Sequence, residues 1–596
     1  MLPSYSPKGR KRSQQLQLWK RAGLVGGVFV LALFLWVQYT ILTTNLGGVP
    51  AHVGELQGAT QQDSQHPGNN EQTHLRGIEH QAQPAATAAT TVEKEAAIHA
   101  AGAGGGAAAG AGAEVEGGAA AAGGGTIEEM LADEDVADVV DPDMTVTAVP
   151  SDQQEARRLA VRKAMKFAWG NYEEHAFGGD EVDPINGWKL NNVWGDIACS
   201  LVDGIDTLWI MDLKDEFQRA RDYVANQLDF SHLGRDGNKV SVFETIIREV
   251  GGLLSAFDLS GDIIFKQRAK ELMDLLTAAY DEKEGVFYTL LNPYTKEKTF
   301  AAWAGYRAHI ADIGTLQLET RYLSDITGDP KYAEMGDAFY QILKREGSYK
   351  KTGLFPVHFD ASRGKFDTRG SVITLGALGD SFYEYLLKVY IYSGKREEDE
   401  YLRELYDDAV RGMEEYLLYF SIPDDLYFLQ ELKVPSFSRM DHLLCFVPGL
   451  LALGTLSETE DHAKNAKHLE LAEKLMETCY QFYHRQPTGL SPDIVSFPKM
   501  RVIDPKYRLR PETIESLFYL YRVTKNPKYR EFGWEIFEAL EAHAKVKHGY
   551  AAILDVTMLP AQTENKMESF FLAETLKYHY LLQAPESLIP LDNFTK

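Results

Sequence analysis

Val240-Ser-Val-Phe-Glu-Thr-Ile-Ile-Arg-Glu-Val-Gly-Gly-Leu-Leu-Ser-Ala-Phe-Asp258 carries apolar residues at helical intervals. Phe243, Ile246, Ile247, Val250, Leu253, Leu254 and Phe257 form one stripe that must pack inward. Glu244 and Arg248 stand one helical turn apart beside that stripe. Two readings fit them. One is an ordinary surface ion pair. The other is a carboxyl held where water is scarce, with the raised pKa that a general acid working near neutral pH requires.

The same period recurs outward from this stretch. It predicts helices over 156–171, 201–213, 216–228, 244–260, 264–280, 316–327, 331–345, 376–393, 398–420, 445–454, 463–484, 511–524, 527–544 and 568–583. Short links carrying Gly, Asp or Pro join many of them: Leu-Ser-Gly-Asp at 259–262, Ile-Thr-Gly-Asp-Pro at 326–330 and Lys-Asn-Pro-Lys at 525–528. Alternating strand patterns are scarce and short. The fold class is therefore all-α, with helical hairpins repeated from residue 151 to 596. Periodicity leaves open whether the hairpins stack as a solenoid or close into a toroid.

The first 150 residues read differently. Lys8, Arg10, Lys11, Arg12, Lys20 and Arg21 make 1–21 a basic tail, and 22–42 is a run without charge. About 20 apolar residues span a bilayer, so 22–42 reads as a transmembrane signal anchor with the tail cytoplasmic and the rest luminal. Residues 43–150 are rich in Gln, Ala and Gly and read as a low-complexity stem with no core of its own. The partners expected are thus a lipid bilayer and a luminal substrate. A net charge of −25 argues against nucleic acid. Cys199, Cys445 and Cys479 allow three pairings. A glycosylation sequon starts at Asn593.

Two further stretches place acids in helical settings. Asp380 opens an aromatic helix after Gly376 and Gly379, where it could serve simply as an N-cap. Glu512 and Glu515 follow Pro511 in a first turn, where the macrodipole favours acids, and Arg510 could pair with either.

Taken together the motifs are familiar. Phe243-Glu244, Gly379-Asp-Ser-Phe-Tyr-Glu-Tyr-Leu-Leu-Lys388 and Leu509-Arg-Pro-Glu-Thr-Ile-Glu-Ser516 resemble the class I α-1,2-mannosidases, glycoside hydrolase family 47. So do Leu201-Val-Asp-Gly-Ile-Asp-Thr-Leu-Trp-Ile210, Met440-Asp-His-Leu-Leu-Cys-Phe446 and Glu568-Ser-Phe-Phe-Leu-Ala-Glu-Thr-Leu-Lys577. The resemblance implies an (α/α)7 barrel and inverting removal of α-1,2-linked mannose from high-mannose N-glycans in the Golgi or endoplasmic reticulum. By motif, Glu244 matches the acid, working through a water, and Asp380 and Glu512 match the other catalytic carboxylates, with Glu512 favoured as base. Arg248, Glu319, His442, Arg510, Glu515, Phe570 and Glu574 match residues of the sugar pocket. Phe570 is placed to stack on the ring, against a plain core role, and His442 is weighed against a satisfied core histidine. Cys445 and Cys479 match the family disulfide, which leaves Cys199 free.

The chain also departs from the family. There a C-terminal Asn-Thr-Glu-Ala-His-Pro hairpin supplies, through its Thr, the direct protein ligands to Ca2+. Here Phe594-Thr595-Lys596 stands in its place, so no metal ligand is carried over and the catalytic domain is expected to be C-terminally shortened. That departure sets an inactive mannose-binding relative in glycoprotein quality control beside the enzyme as an alternative. Leu378 stands where the endoplasmic-reticulum subgroup has Arg, which implies removal of several mannoses, and Asp493 replaces a Glu after Gly489-Leu-Ser-Pro492.

Overall fold

Burial sorts the helices into two kinds. Asp380–Tyr392 buries every side chain from Asp380 to Tyr390, whereas Lys214–Asn226 buries only Phe217, Ala220 and Val224. A helix apolar on one stripe faces solvent on the other, and one buried all round must have neighbours on every side. The computed structural model describes residues 153–591, apart from 192–193, 347–348, 350, 369, 433–437 and 458–460. In chain order the helices are α1 (Gln153–Ala176), α2 (Cys199–Ile210), α3 (Lys214–Asn226), α4 (Val242–Thr245), α5 (Gly251–Ser260), α6 (Ile263–Leu276), α7 (Ile310–Gly314) and α8 (Gln317–Thr327). They continue as α9 (Lys331–Arg345), α10 (Asp380–Tyr392), α11 (Glu400–Gly412), α12 (Val447–Ser457), α13 (His462–His484), α14 (Glu512–Thr524), α15 (Lys528–His543) and α16 (Leu576–Gln583).

The inner kind comprises α2, α5, α8, α10, α12, α14 and α16. Each packs on the next, and a π-helical turn leading into α16, Phe571–Thr575, packs back on α2 and closes the ring. Outside them α3, α6, α9, α11, α13, α15 and α1 each cover one inner helix. The open choice between solenoid and toroid is thereby settled as a seven-hairpin α/α barrel. The turn motif works as expected: Gly261 and Gly328 end α5 and α8 at φ 73° and 76°, and Lys525 takes the same left-handed conformation after α14 at φ 59°.

Strands are more numerous than the pattern suggested. Two to four residues long, they are too short to display a period of two. Their place matters more than their length. Val240–Ser241 pairs with Leu290–Leu291 just before Glu244. Ala308–His309 pairs with His358–Asp360 just before α7, and Arg439–Asp441 pairs with Ile494–Ser496 just before His442. The helix expected over 398–420 ends early. After Gly412 a π turn covers Met413–Leu417, and Leu418–Ser421 is a strand paired with Leu426–Leu429, which suits its aromatic residues.

Cys445 and Cys479 are joined with Cα atoms 5.7 Å apart, as the resemblance implied, and Cys199 is free and buried. The bridge ties the turn His442–Phe446 to α13. Replacing both with Ala is expected to cost about 4 kcal/mol, from the lost constraint on an unfolded loop of 34 residues. Urea unfolding measures it, and a change below about 0.5 kcal/mol would contradict it.

The basic tail 1–21, the anchor 22–42, the stem 43–150, Asn593 and Thr595 all lie outside the described residues. Among the described residues no helix is long and apolar enough to cross a membrane.

Candidate active site

Glu244 and Arg248 are not a surface pair. They are 1% and 2% exposed, and Arg248 Nε donates to Glu244 Oε2 at 2.8 Å. Ser241 caps the short α4 by accepting the Glu244 N–H. The chain then makes a π turn, Ile246–Val250, that contains Arg248, a distortion often found at functional sites. Glu244 Oε1 is buried with no hydrogen-bond partner among the described residues. Burial outweighs the arginine and pushes the Glu244 carboxyl up to about 7. Arg248 is held in turn by Asp203 at 3.5 Å, and its guanidinium lies between the Trp194 and Phe570 rings at 5.2 and 5.8 Å.

A second group gathers at the start of α14. Glu512 Oε2 lies 3.0 Å from His442 Nδ1. His442 Nε2 meets the Tyr483 hydroxyl at 2.8 Å and Thr513 Oγ1 at 3.0 Å. His442 is thus a satisfied buried histidine, and one of its partners is Glu512. Pro511 is the N-cap residue and Glu512 the first helical one. Arg510 turns its Nε to Asp493 at 2.9 Å, a partner the sequence reading had not weighed. Asp380 is likewise not the N-cap of α10. Gly379 holds that place, and Asp380 Oδ1 accepts from the next N–H, Ser381, at 2.9 Å. Its Oδ2 is buried without a partner among the described residues, and burial, with Asp441, Glu384 and Glu512 nearby, drives its pKa well up.

Behind these lie Glu319, Glu384, Glu515 and Glu574. Glu319 Oε1 accepts from the Tyr385 hydroxyl at 2.8 Å, and burial raises the carboxyl to about 8. Lys388 binds Glu384 and lies 3.6 Å from Glu515. Burial raises Glu515 to about 8, and drives Glu574, in the π turn before α16, well up for the same reason. Leu378 is half-buried at φ 76°, and its carbonyl accepts from Ala311 in α7.

The three carboxylates matched by motif and the pocket residues named from sequence therefore fall on the inner ring or on the turns feeding it. The sequence reading missed Trp194, Asp203, Asp312, Lys388 and Asp441, and noted Asp493 only as a departure from a motif. Asp312 faces Glu244 and is held by His309 at 3.3 Å. It sits in α7, five residues long and too short to show a period. Asp203 and Lys388 stood inside recognised motifs and could have been found by their helical spacing from Asp206 and Glu384.

A helical barrel whose inner ring holds a desolvated acid on an arginine, with further buried carboxylates on the same ring, is compatible with the carboxyl-based glycoside hydrolases. Residues 164–595 match glycosyl hydrolase family 47, and the chain belongs to that family. It is 39% identical over 445 residues to the mannosyl-oligosaccharide alpha-1,2-mannosidase IA of Spodoptera frugiperda, covering 73% of this chain and 65% of that one. A mannosyl-oligosaccharide 1,2-alpha-mannosidase of Arabidopsis thaliana is 41% identical over 450 residues, covering 75% and 78%. The human endoplasmic reticulum mannosyl-oligosaccharide 1,2-alpha-mannosidase is 40% identical over 452 residues, covering 74% and 62%. Among solved structures, the alpha-1,2-mannosidase from Trichoderma reesei superposes with a TM-score of 0.66 at 28% identity, covering 72% of this chain and 94% of that one.

Proposed function

We propose that this chain hydrolyses terminal α-1,2-linked mannose from high-mannose N-glycans, with inversion, at the site built around Glu244, Asp380 and Glu512. The carrying observation is Glu244: a buried carboxyl near pH 7, fixed by Arg248, suits proton donation to the leaving oxygen through a water. Glu512, on another inner helix and oriented by His442, suits activation of the attacking water. Inversion needs the acid and base on opposite faces of the sugar ring, far enough apart for that water. The printed names of the relatives agree on the substrate class.

Ca2+ is the cofactor the resemblance implies. Among the described residues no three His, Cys, Asp or Glu side chains converge as direct ligands. The fit is of another kind: Glu384, Glu512, Glu515 and Glu574 lie near one another with Lys388 beside them, a cluster of carboxyl oxygens that suits a hydrated cation held through waters. Bound there, Ca2+ would supply a grip on sugar hydroxyls that orients the ring. Residues 1–21 and 22–42 support a type II anchor in the secretory pathway, and the Cys445–Cys479 bridge fits its oxidising lumen.

The test is product analysis of a Man9 oligosaccharide incubated with the purified protein, with Ca2+ and with chelator. Release of mannose that the chelator stops supports the reading. Binding without release points instead to a glycan-binding relative. The same assay probes Leu378. Leu378→Arg keeps a Cβ, so the backbone strain at φ 76° is unchanged, while the guanidinium adds hydrogen bonds to one glycan branch. The product range is expected to narrow, and an unaltered range would count against permissive trimming.

A further inference from the structure

We infer that Asp493 is a positioning residue for Glu512, fixing Arg510 and the main chain of His442 on either side of it. The inference rests on the reading of Glu512 as part of the hydrolytic site. Asp493 is 2% exposed and precedes the strand Ile494–Ser496. Its Oδ1 accepts from Arg510 Nε at 2.9 Å and its Oδ2 from Arg508 Nε at 2.8 Å. Its carbonyl accepts from the His442 N–H at 2.9 Å, and its own N–H donates to the Asp504 carbonyl at 3.0 Å.

These bonds converge. His442 is the residue that meets Glu512 at 3.0 Å, and Arg510 stands two residues before Glu512 with its charge directed partly at that acid. Asp493 therefore sits one bond behind each neighbour of Glu512. The pairing of Ile494–Ser496 with Arg501–Asp504 shifts register between Ile494 and Val495, and such irregularities re-aim adjacent side chains. Although burial pushes the carboxyl up, Arg510 and Arg508 hold Asp493 below the usual carboxylate value, so the anion persists.

The charge has a definite task. Without it, the buried Arg510 guanidinium loses the anion that holds its Nε and is drawn more strongly toward Glu512. That contact would occupy the oxygen needed for water and turn the carboxylate from its place. Ground-state sugar binding, spread over the other pocket residues, changes less.

The experiment compares the parent protein, Asp493→Asn, Asp493→Glu and Arg508→Gln on a Man9 oligosaccharide, with kcat and KM separated and the folded fraction measured by thermal unfolding. Asp493→Asn is expected to lower kcat about 10- to 100-fold with KM within about threefold, as for a base misplaced by a fraction of an ångström. Asp493→Glu, which keeps the charge, should recover most of it. Arg508 has a side chain 17% exposed, so Arg508→Gln should fold, and it should cost kcat about three- to tenfold at unchanged KM by loosening the same carboxylate. An Asp493→Asn kcat within threefold of the parent overturns the inference. So does a loss matching the unfolded fraction that Asp493→Glu does not repair. If Asp493→Asn fails to fold, an unchanged kcat in Arg508→Gln overturns it alone. Should the parent release no mannose, the hydrolytic reading fails. Crystal structures then decide the positioning: Arg510 and His442 displaced from Glu512 in the variants support it, and both unmoved refute it.

Discussion

Replacing Glu244 with Gln is expected to lower kcat on oligosaccharide by about a thousandfold, or about 4 kcal/mol of transition-state stabilisation. Gln fills the same space and still accepts from Arg248, so the fold should hold. What disappears is the proton. Burial keeps Glu244 protonated to about pH 7, and only the protonated form can donate. The parent kcat/KM should therefore fall as pH rises through about 7, roughly tenfold per unit, and the residual activity of the variant should lack that limb. Leaving-group chemistry supplies a second check. α-Mannosyl fluoride departs without protonation, so Glu244→Gln should process it at a rate near the parent's. A variant equally impaired on both substrates would mean that Glu244 holds the pocket together rather than donating a proton.

Why Glu244 was legible and its surroundings were not follows from scale. The apolar pattern around it is long and periodic, and Arg248 four residues on is a spacing any reader can test. The π turn over Ile246–Val250 was not legible, because it arises from packing against α2 and α6 rather than from local preference. The inner ring was hidden for a related reason. Asp380–Tyr390 is buried throughout although it includes Asp380, Glu384 and Lys388. Hydropathy reads those three as a solvent face, whereas the barrel turns them inward and lets them neutralise one another. Asp380 as an N-cap was the residue-type expectation, and Gly379, with no side chain to place, took the cap instead. Its carboxylate was thereby left pointing at other acids. Asp493 could be noticed only as a departure from a motif. That it reaches Arg510 depends on a loop path fixed by paired strands three or four residues long.

The inner ring also explains why so many acids tolerate one another. Lys388 and Arg248 supply part of the balance, and protonation supplies more: Asp380, Glu319, Glu515 and Glu574 are all raised by burial, so several hold their protons at neutral pH. A cluster poised this way is electrostatically strained, which costs stability and suits binding of a cation or of sugar hydroxyls.

Glu512→Gln is expected to separate those two consequences. Its kcat should fall by about 100- to 1,000-fold, because water at the far face of the ring loses the group that would take its proton. Unlike Glu244→Gln, it should fall as far on α-mannosyl fluoride, since a better leaving group does nothing for the nucleophile. Stability should move the other way. Glu512 is among the charges that raise the pKa of Asp380, Glu384, Glu515 and Glu574. Removing it relieves the like-charge interaction with those of the four that are ionised and loses one hydrogen bond to His442, which the amide can partly replace. The unfolding midpoint should therefore hold or rise, as happens where a site keeps a costly charge for its chemistry. A variant both inactive and strongly destabilised would show that the Glu512–His442 contact is a structural pin, and the base would then have to be sought at Asp380.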